Sequence, residues 1–377
     1  MGLDEIALLK DKYSEFTELE LHFYNMKYHG VYEEELSKGE TRPVFYLYSD
    51  KDFFLISFMI AEIESPYKTD GKHMYYNGKR LDIRNIVATR LSNKLPYYYF
   101  RGPISLHPTL DDENILNTSF NPRCSGCDFC FYGYRNKHLK NIKATEGLKL
   151  VQIETQKESF DFLDEIAVVT GRFASEENLV NHITELLDYA PDNGFDGRLL
   201  YIGSQLTSEK FVSRILDKVG GSKNFKYVYT VERFFDRDKV MHGSKGQKKF
   251  RDIVKDIKNL KALGVEQLQY SYLVGIENLD KFKQGVEDLV EYATPHISIF
   301  RKTGLPENES SRAEDYVRMG AEYICEIRRH YEDLYGKKFI GNNFANLWPF
   351  PRSRFNLDHY LKRLGKPMRP NGTLIGE

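Results

Sequence analysis

Strand-like and helical segments alternate along a long stretch of this chain, and this alternation constrains its fold most strongly. Short apolar segments recur at intervals of roughly thirty residues, the size of one strand–helix unit. The six segments are residues 115–120, 166–170, 199–203, 227–231, 268–274 and 296–300. Parallel strands joined by right-handed helical crossovers fit this pattern, and such sheets curl into a full or partial barrel. The sequence therefore predicts an α/β fold with a partial (β/α)6 TIM-like barrel.

The predicted barrel leaves a segment on either side of it in a chain of 377 residues. Residues 1–110 combine a helical segment with strand-like runs and turn chemistry such as Asn77-Gly78, so we expect an N-terminal α+β module. The barrel is expected over residues 111–335. Residues 336–377 are rich in turn-forming residues, which indicates a C-terminal cap or tail. The length fits one large domain with extensions, or two domains.

Three of the four cysteines lie close together, at Cys124, Cys127 and Cys130, whereas Cys325 is distant in sequence. Clustered thiolates indicate a metal site. They can hold three irons of a [4Fe-4S] cluster and leave the fourth iron open to a ligand. They can also hold zinc with a fourth ligand such as His138. The loop follows the first predicted strand and so lies at the carboxyl ends of the strands, where barrels bind ligands, which favours the catalytic cluster.

A cysteine triplet after the first strand of a βα barrel resembles the radical S-adenosylmethionine (SAM) superfamily. That family usually has the spacing Cys-x3-Cys-x2-Cys, with an aromatic residue just before the last cysteine. Here the first gap is one residue shorter, and the aromatic residue is Phe129. The resemblance implies that Cys124, Cys127 and Cys130 bind a [4Fe-4S] cluster and that Phe129 lies at the cofactor site.

Two later segments carry the resemblance further. The family has a Gly-Gly-Glu-like turn after the second strand that binds the SAM amino group, and this chain has Thr170, Gly171 and Arg172 there. After the fourth strand come Glu232 and Arg233, which look like the biotin synthase branch. The resemblance implies that Glu232 contacts the SAM amino group or ribose. It also implies that Arg233 or Arg172 binds the SAM carboxylate, because guanidinium groups form bidentate contacts with carboxylates.

The fifth predicted strand matches the family segment that packs against adenine. The family pattern is Gly-x-Ile-x-Gly-x-x-Glu, and Leu273 and Gly275 fit it. Ser271 and Asn278 depart from it. The resemblance covers roughly residues 113–305, and the order and spacing of its motifs support it more than any single motif does.

The resemblance implies an enzyme that reductively cleaves SAM and uses the 5′-deoxyadenosyl radical to abstract hydrogen from a small-molecule substrate. It also implies an electron donor such as flavodoxin or ferredoxin. Two alternatives stay open: a zinc-stabilised βα-barrel binding protein without redox chemistry, and a barrel that binds a cluster but not SAM. The nature of the bound metal separates the first alternative from the enzyme, and SAM binding separates the second.

Charge and hydropathy exclude several other classes. The net charge is −1 with acidic and basic residues interleaved, so we expect no DNA partner. The N-terminal residues lack a secretory pattern. The longest apolar run, near residues 53–61, is too short to span a bilayer. Four cysteines with three clustered do not form a disulfide framework. The sequence therefore predicts a cytoplasmic protein without membrane contact.

Overall fold

The structure is a computed structural model that describes most of the chain. The described residues are 4–33, 43–48, 53–57, 65–71, 73–85, 89–90, 97–101, 113–122, 124, 127–130, 139–300 and 306–340. His138 and residues 341–377, the larger part of the predicted C-terminal cap, lie outside them. No helix in the described ranges is long and apolar enough to cross a membrane.

The described helices and strands alternate through most of the chain. The helices are α1 (Glu5–Lys12), α2 (Glu18–His29), α3 (Ala144–Thr155), α4 (Glu176–Asp192), α5 (Glu209–Lys218), α6 (Gly243–Gln247), α7 (Phe250–Ala262), α8 (Leu279–Glu287), α9 (Pro306–Ser310), α10 (Glu314–Met319) and α11 (Ala321–Ile340). The strands are β1 (Pro43–Tyr48), β2 (Phe53–Ser57), β3 (Tyr67–Thr69), β4 (His73–Tyr76), β5 (Lys79–Asn85), β6 (Thr89–Arg90), β7 (Tyr98–Arg101), β8 (Ile115–Thr118), β9 (Glu165–Val169), β10 (Arg198–Gly203), β11 (Phe225–Glu232), β12 (Gln267–Val274) and β13 (Thr294–Ile299).

The chain divides into two compact units. The first contains Met1–Asn93, Leu273–Lys283 and Ile297–Glu377, and the second contains Lys94–Tyr272 and Gln284–His296. The domain boundaries expected from the sequence stay a prediction.

Strands β1 to β6 form an antiparallel sheet in the first unit, in the order β2-β1-β5-β4-β3 with β6 beside β1. The hairpin expected at Asn77-Gly78 is present between β4 and β5. Both turn residues have positive φ, 48° and 77°, which a tight hairpin turn of this kind requires. The N-terminal α+β extension is therefore confirmed.

Helix α2 was not predicted from the sequence. Thr17 and Glu20 form a capping box at its start, and every residue from Leu19 to Met26 is buried. A helix that is buried on all sides has no single apolar face, so the helical period that marks surface helices is missing.

The sequence predicts one helix that opens at a capping box, Ser311-Arg-Ala-Glu314, and runs towards Tyr335, but the structure divides this stretch. Helix α10 ends at Gly320, whose φ of +62° lies in the left-handed region that favours glycine, and α11 begins directly after it. The sequence also predicts a helix over residues 247–263, and the structure contains it as α7 (Phe250–Ala262).

Arg328 of α11 is a buried cation in the first unit, with 2% of its surface exposed. Its guanidinium forms an ion pair with Glu332 and donates a hydrogen bond of 3.3 Å to the Tyr24 hydroxyl. Burial alone would lower the pKa of Arg328, but Tyr24, Glu332 and Glu20 raise it above its ordinary value. The buried carboxylate of Glu20 therefore depends on the charge of Arg328.

We expect Arg328→Met to destabilise the first unit by roughly 3–5 kcal/mol, because it leaves the buried Glu20 and its neighbours without their cation. Urea denaturation measures the loss. Arg318→Met is the matched control: its guanidinium is exposed and pairs with nearby Asp315, so the unfolding midpoint should stay unchanged. Equal losses of unfolding free energy in the two variants would contradict this role for Arg328.

The second sheet has seven strands among the described residues, in the order β13-β12-β11-β10-β9-β8-β7. Strands β8 to β12 pair in parallel, and β7 pairs antiparallel with β8. Strand order follows chain order, as successive right-handed βα units produce. The predicted partial TIM-like barrel is confirmed as a seven-strand half-barrel sheet in an α/β protein. A cluster of Ile115, Ala167, Leu200 and Val228 forms the core on one face of this sheet.

Candidate metal and cofactor site

Parallel pairing brings the loops that follow β8, β9, β10 and β11 to one edge of the second sheet. The three-cysteine loop follows β8, and the turn with Thr170 and Gly171 follows β9. Glu232 is the last residue of β11. This edge therefore brings together most of the site residues that were predicted from the sequence, as the carboxyl ends of parallel strands do.

Backbone contacts fix the cysteine loop to the segment after β11. Cys127 forms an isolated antiparallel bridge with Met241, and the Asp128 amide donates to the Val240 carbonyl at 3.1 Å. The Asp128 carboxylate lies 2.7 Å from Nε2 of His242. The segment after β11, which is distant in sequence, thus contacts the loop through both its backbone and a side chain.

The three thiols differ in exposure. Cys124 is exposed, whereas Cys127 and Cys130 are half-buried. The pKa of Cys127 is raised to about 11, mainly by burial and less by Cys130 and Cys124. The charge of Lys245 and the backbone N–H of His242 act in the opposite direction. Lys245 and the His242 amide therefore offset part of the effect of burial on the Cys127 thiolate.

Among the described residues, no three His, Cys, Asp or Glu side chains lie close enough together to hold a metal ion. The donor set nevertheless fits an iron–sulfur cluster in its chemistry: three soft sulfur ligands on one short loop, with an amide that donates to one of them. Ligand ordering and metal binding are coupled, so metal content is the decisive test of this ligand set. The assignment of the three cysteines stays a prediction.

The turn after β9 is joined directly to the segment that leads into the cysteine loop. The Thr170 hydroxyl and the Gly171 amide both donate to the Asn121 carbonyl, each at 2.7 Å. The turn is thereby bonded to the backbone of the residue that lies three positions before Cys124. Arg172 follows with an exposed side chain. Roles for Thr170, Gly171 and Arg172 in SAM binding stay predictions.

Glu232 has an unusual backbone conformation, with φ of +66° beside an irregularity in the β11–β12 pairing. Its carboxylate accepts hydrogen bonds from Lys245 at 3.3 Å and from the Ser271 hydroxyl at 3.2 Å. A residue other than glycine in this region is strained, and such strain is concentrated at functional sites.

Lys245 and Arg237 were not predicted from the sequence, although both shape the site. Lys245 binds Glu232 and also lowers the pKa of Cys127, so it links the cysteine loop to the end of β11. The buried Arg237 donates to the carbonyls of Val231, Arg233 and Lys245. A charged residue in a polar loop gives no periodic signal, so only the fold reveals these contacts.

Arg233 and Phe129 lie in the same unit. The Arg233 Nε donates to the Phe235 carbonyl at 2.7 Å, and its guanidinium lies 3.9 Å from Asp236. Phe129 is half-buried between the last two cysteines of the loop. The predicted contacts of both residues with SAM stay predictions.

Leu273 and Gly275 belong to the first unit. Leu273 is buried, and Gly275 has φ of +108°. A Cβ atom at Gly275 would lie 3.0 Å from both Phe300 Cβ and the Tyr316 ring. Packing and backbone conformation are thus enough to require glycine at this position. The predicted contact with adenine is not needed to explain it and stays a prediction.

Comparisons with known proteins found a likeness among solved structures alone. No protein-family model matches the chain, and no curated protein matches it. Among solved structures, the chain resembles coproporphyrinogen III oxidase (HemN) from Escherichia coli, described as a radical SAM enzyme. The identity is 12%, the TM-score is 0.40, and the match covers 60% of this chain and 53% of that one. The chain thus matches about half of that protein, and a likeness of this extent carries no argument about what the chain does.

Proposed function

We propose that this chain is a radical SAM enzyme acting on a small-molecule substrate. The observation that carries the proposal is the bridge between Cys127 and Met241, which joins the cysteine loop to the segment after β11. That segment also supplies Lys245, the ion-pair partner of Glu232. The residues proposed for cluster binding and those proposed for SAM binding therefore share one connected network.

In this proposal Cys124, Cys127 and Cys130 are the protein ligands of a [4Fe-4S] cluster. When bound, such a cluster supplies the electron that cleaves the SAM sulfonium to give the 5′-deoxyadenosyl radical. The His242 amide donates to the Cys127 sulfur and stabilises its thiolate form. The contacts of Asp128 with Val240 and His242 hold the loop in place while SAM binds.

Glu232 is the proposed partner of the SAM amino group, because its carboxylate is fixed by Lys245 and Ser271. A fixed acceptor binds an ammonium group more tightly than a mobile one, since less side-chain entropy is lost. Arg233 or Arg172 is the proposed partner of the SAM carboxylate. The proposed electron donor is a protein such as flavodoxin or ferredoxin.

The test is anaerobic. The full-length protein is reconstituted with iron and sulfide, mixed with SAM and a strong reductant, and assayed for 5′-deoxyadenosine. The proposal predicts that 5′-deoxyadenosine forms and that its formation is lost in Cys127→Ala. A protein that carries zinc instead of iron and forms no 5′-deoxyadenosine would refute it.

We expect Glu232→Gln to weaken SAM binding by roughly 10- to 100-fold, because it removes a charge-assisted hydrogen bond to the amino group. Equilibrium dialysis of the reconstituted protein with labelled SAM measures the affinity, and iron content should stay unchanged. Glu209→Gln, which alters an exposed carboxylate at the start of α5, is the control. Unchanged affinity in Glu232→Gln would remove Glu232 from the SAM site.

A further inference from the structure

One face of the seven-strand sheet carries polar side chains near its apolar core. Ile115 belongs to the core cluster on this face, and Arg101 of β7 lies directly opposite Ile115 in the register. Asn117 lies two residues beyond Ile115 and level with Ala167, another member of the cluster. Since side chains alternate along a strand and directly opposed residues share a face, Arg101 and Asn117 lie on the same face as the core.

Several polar atoms in this region are buried without a hydrogen-bond partner in the structure. They are Nε of Arg101, Nδ2 of Asn117, Oγ of Ser119 and Nδ1 of His296. Leaving such a group unpaired costs about 1–3 kcal/mol, so a concentration of them needs an explanation. Arg101 and Asn117 lie on neighbouring strands, so one ligand can contact both side chains.

His296 of β13 interacts electrostatically with Arg101 and with Glu232. The pKa of His296 is lowered to about 4, mainly by burial and less by the charge of Arg101, while Glu232 acts in the opposite direction. His296 is thus close enough to respond to both Arg101 and the proposed SAM-binding carboxylate. A neutral imidazole offers one ring nitrogen as a donor and the other as an acceptor.

Charged groups towards the amino ends of the same strands are paired with one another. Glu165 at the start of β9 lies 2.7 Å from Lys226 and 3.7 Å from Arg198, and Arg198 also pairs with Glu113. The charges of these residues thus offset one another. Arg101 forms no ion pair with another residue in the described part of the chain, and together with Asn117 and His296 it presents a cation and an amide donor, which is the chemistry of an anion site.

We propose that Arg101, Asn117 and His296 form a subsite for an anionic group, a carboxylate or a phosphate, of the small-molecule substrate. This inference rests on the proposed function for the existence of a substrate at this sheet. The guanidinium supplies the charge, the Asn117 amide supplies a neutral donor, and His296 completes the subsite. The subsite would orient the substrate from the strands that flank the core cluster.

The test measures binding of inorganic phosphate and of acetate to the full-length chain, at constant ionic strength, by NMR titration of each anion. Wild-type protein should bind one of the two, and the stronger binder identifies the class of anion. Arg101→Met and Asn117→Leu should each weaken binding roughly tenfold or more, and Arg101→Lys should retain part of it. Arg251→Met, at an exposed position of α7, should bind like wild type.

The unfolding midpoint of each variant is measured as well, because it separates loss of the subsite from misfolding. Asn117→Leu should raise the unfolding midpoint without anion, because it removes an unpaired buried amide, while it weakens anion binding. No binding of either anion to wild type, or equal binding by wild type, Arg101→Met and Asn117→Leu, would overturn the subsite. Anion binding needs neither SAM nor reductant, so its outcome is independent of the 5′-deoxyadenosine assay.

Discussion

Replacing Cys127 with alanine is expected to reduce the iron content of the reconstituted protein from about four atoms per chain to less than one. Cys127 lies in the middle of the loop and its backbone is bridged to Met241, so the fold holds this proposed ligand in place. Its neighbours Lys245 and the His242 amide stabilise a thiolate there. Iron and acid-labile sulfide, measured together after anaerobic reconstitution, give the result.

Cys325→Ala is the matched control for this variant. Cys325 is buried in α11 in the first unit, away in sequence from the loop, so its loss should leave iron content unchanged. Full iron content in Cys127→Ala would contradict the ligand assignment. Zinc without sulfide in the wild-type protein would support the zinc-stabilised alternative instead.

Adding a single methyl group at Gly246 is expected to lower iron retention roughly 10- to 100-fold, although Gly246 is no ligand. A Cβ atom there would lie 2.1 Å from the Met241 carbonyl oxygen, and backbone cannot rotate away from such a clash. Met241 must move, and the bridge to Cys127 moves with it. The measurement is the iron retained by Gly246→Ala against a graded concentration of chelator.

Ser244→Ala serves as the control, because Ser244 is exposed on the same short helix α6. It should retain iron like the wild type. Circular dichroism of both variants confirms that the barrel is folded. If Gly246→Ala folds and retains iron normally, the segment after β11 does not position the cysteine loop.

The barrel could be predicted from the sequence because its strands are short apolar runs separated by helices of regular length. Residues 166–170 and 199–203 lie within one residue of the observed β9 and β10. Strands of a parallel sheet are buried on both faces and read as short continuous apolar runs, so local sequence alone reveals them. The Asn77-Gly78 hairpin was predictable for a similar reason, since its turn demands particular residues.

The network around the site could not be predicted in the same way. The bridge from Cys127 to Met241 joins residues more than one hundred positions apart, and nothing in either segment identifies the other. The ion pair of Lys245 with Glu232 depends on how the segment after β11 returns towards the strand. The role of Gly275 was interpreted as ligand contact, whereas crowding by Phe300 and Tyr316 already requires a glycine.

The most direct test of the proposed function is electron paramagnetic resonance of the reduced protein with SAM labelled with 15N in its amino group. If three cysteines leave one iron open for SAM, the spectrum changes when SAM is added and the label produces a hyperfine coupling to the cluster. Glu232→Gln should show the same coupling only at higher SAM concentration. A reduced cluster whose spectrum is unchanged by saturating SAM would contradict the proposal.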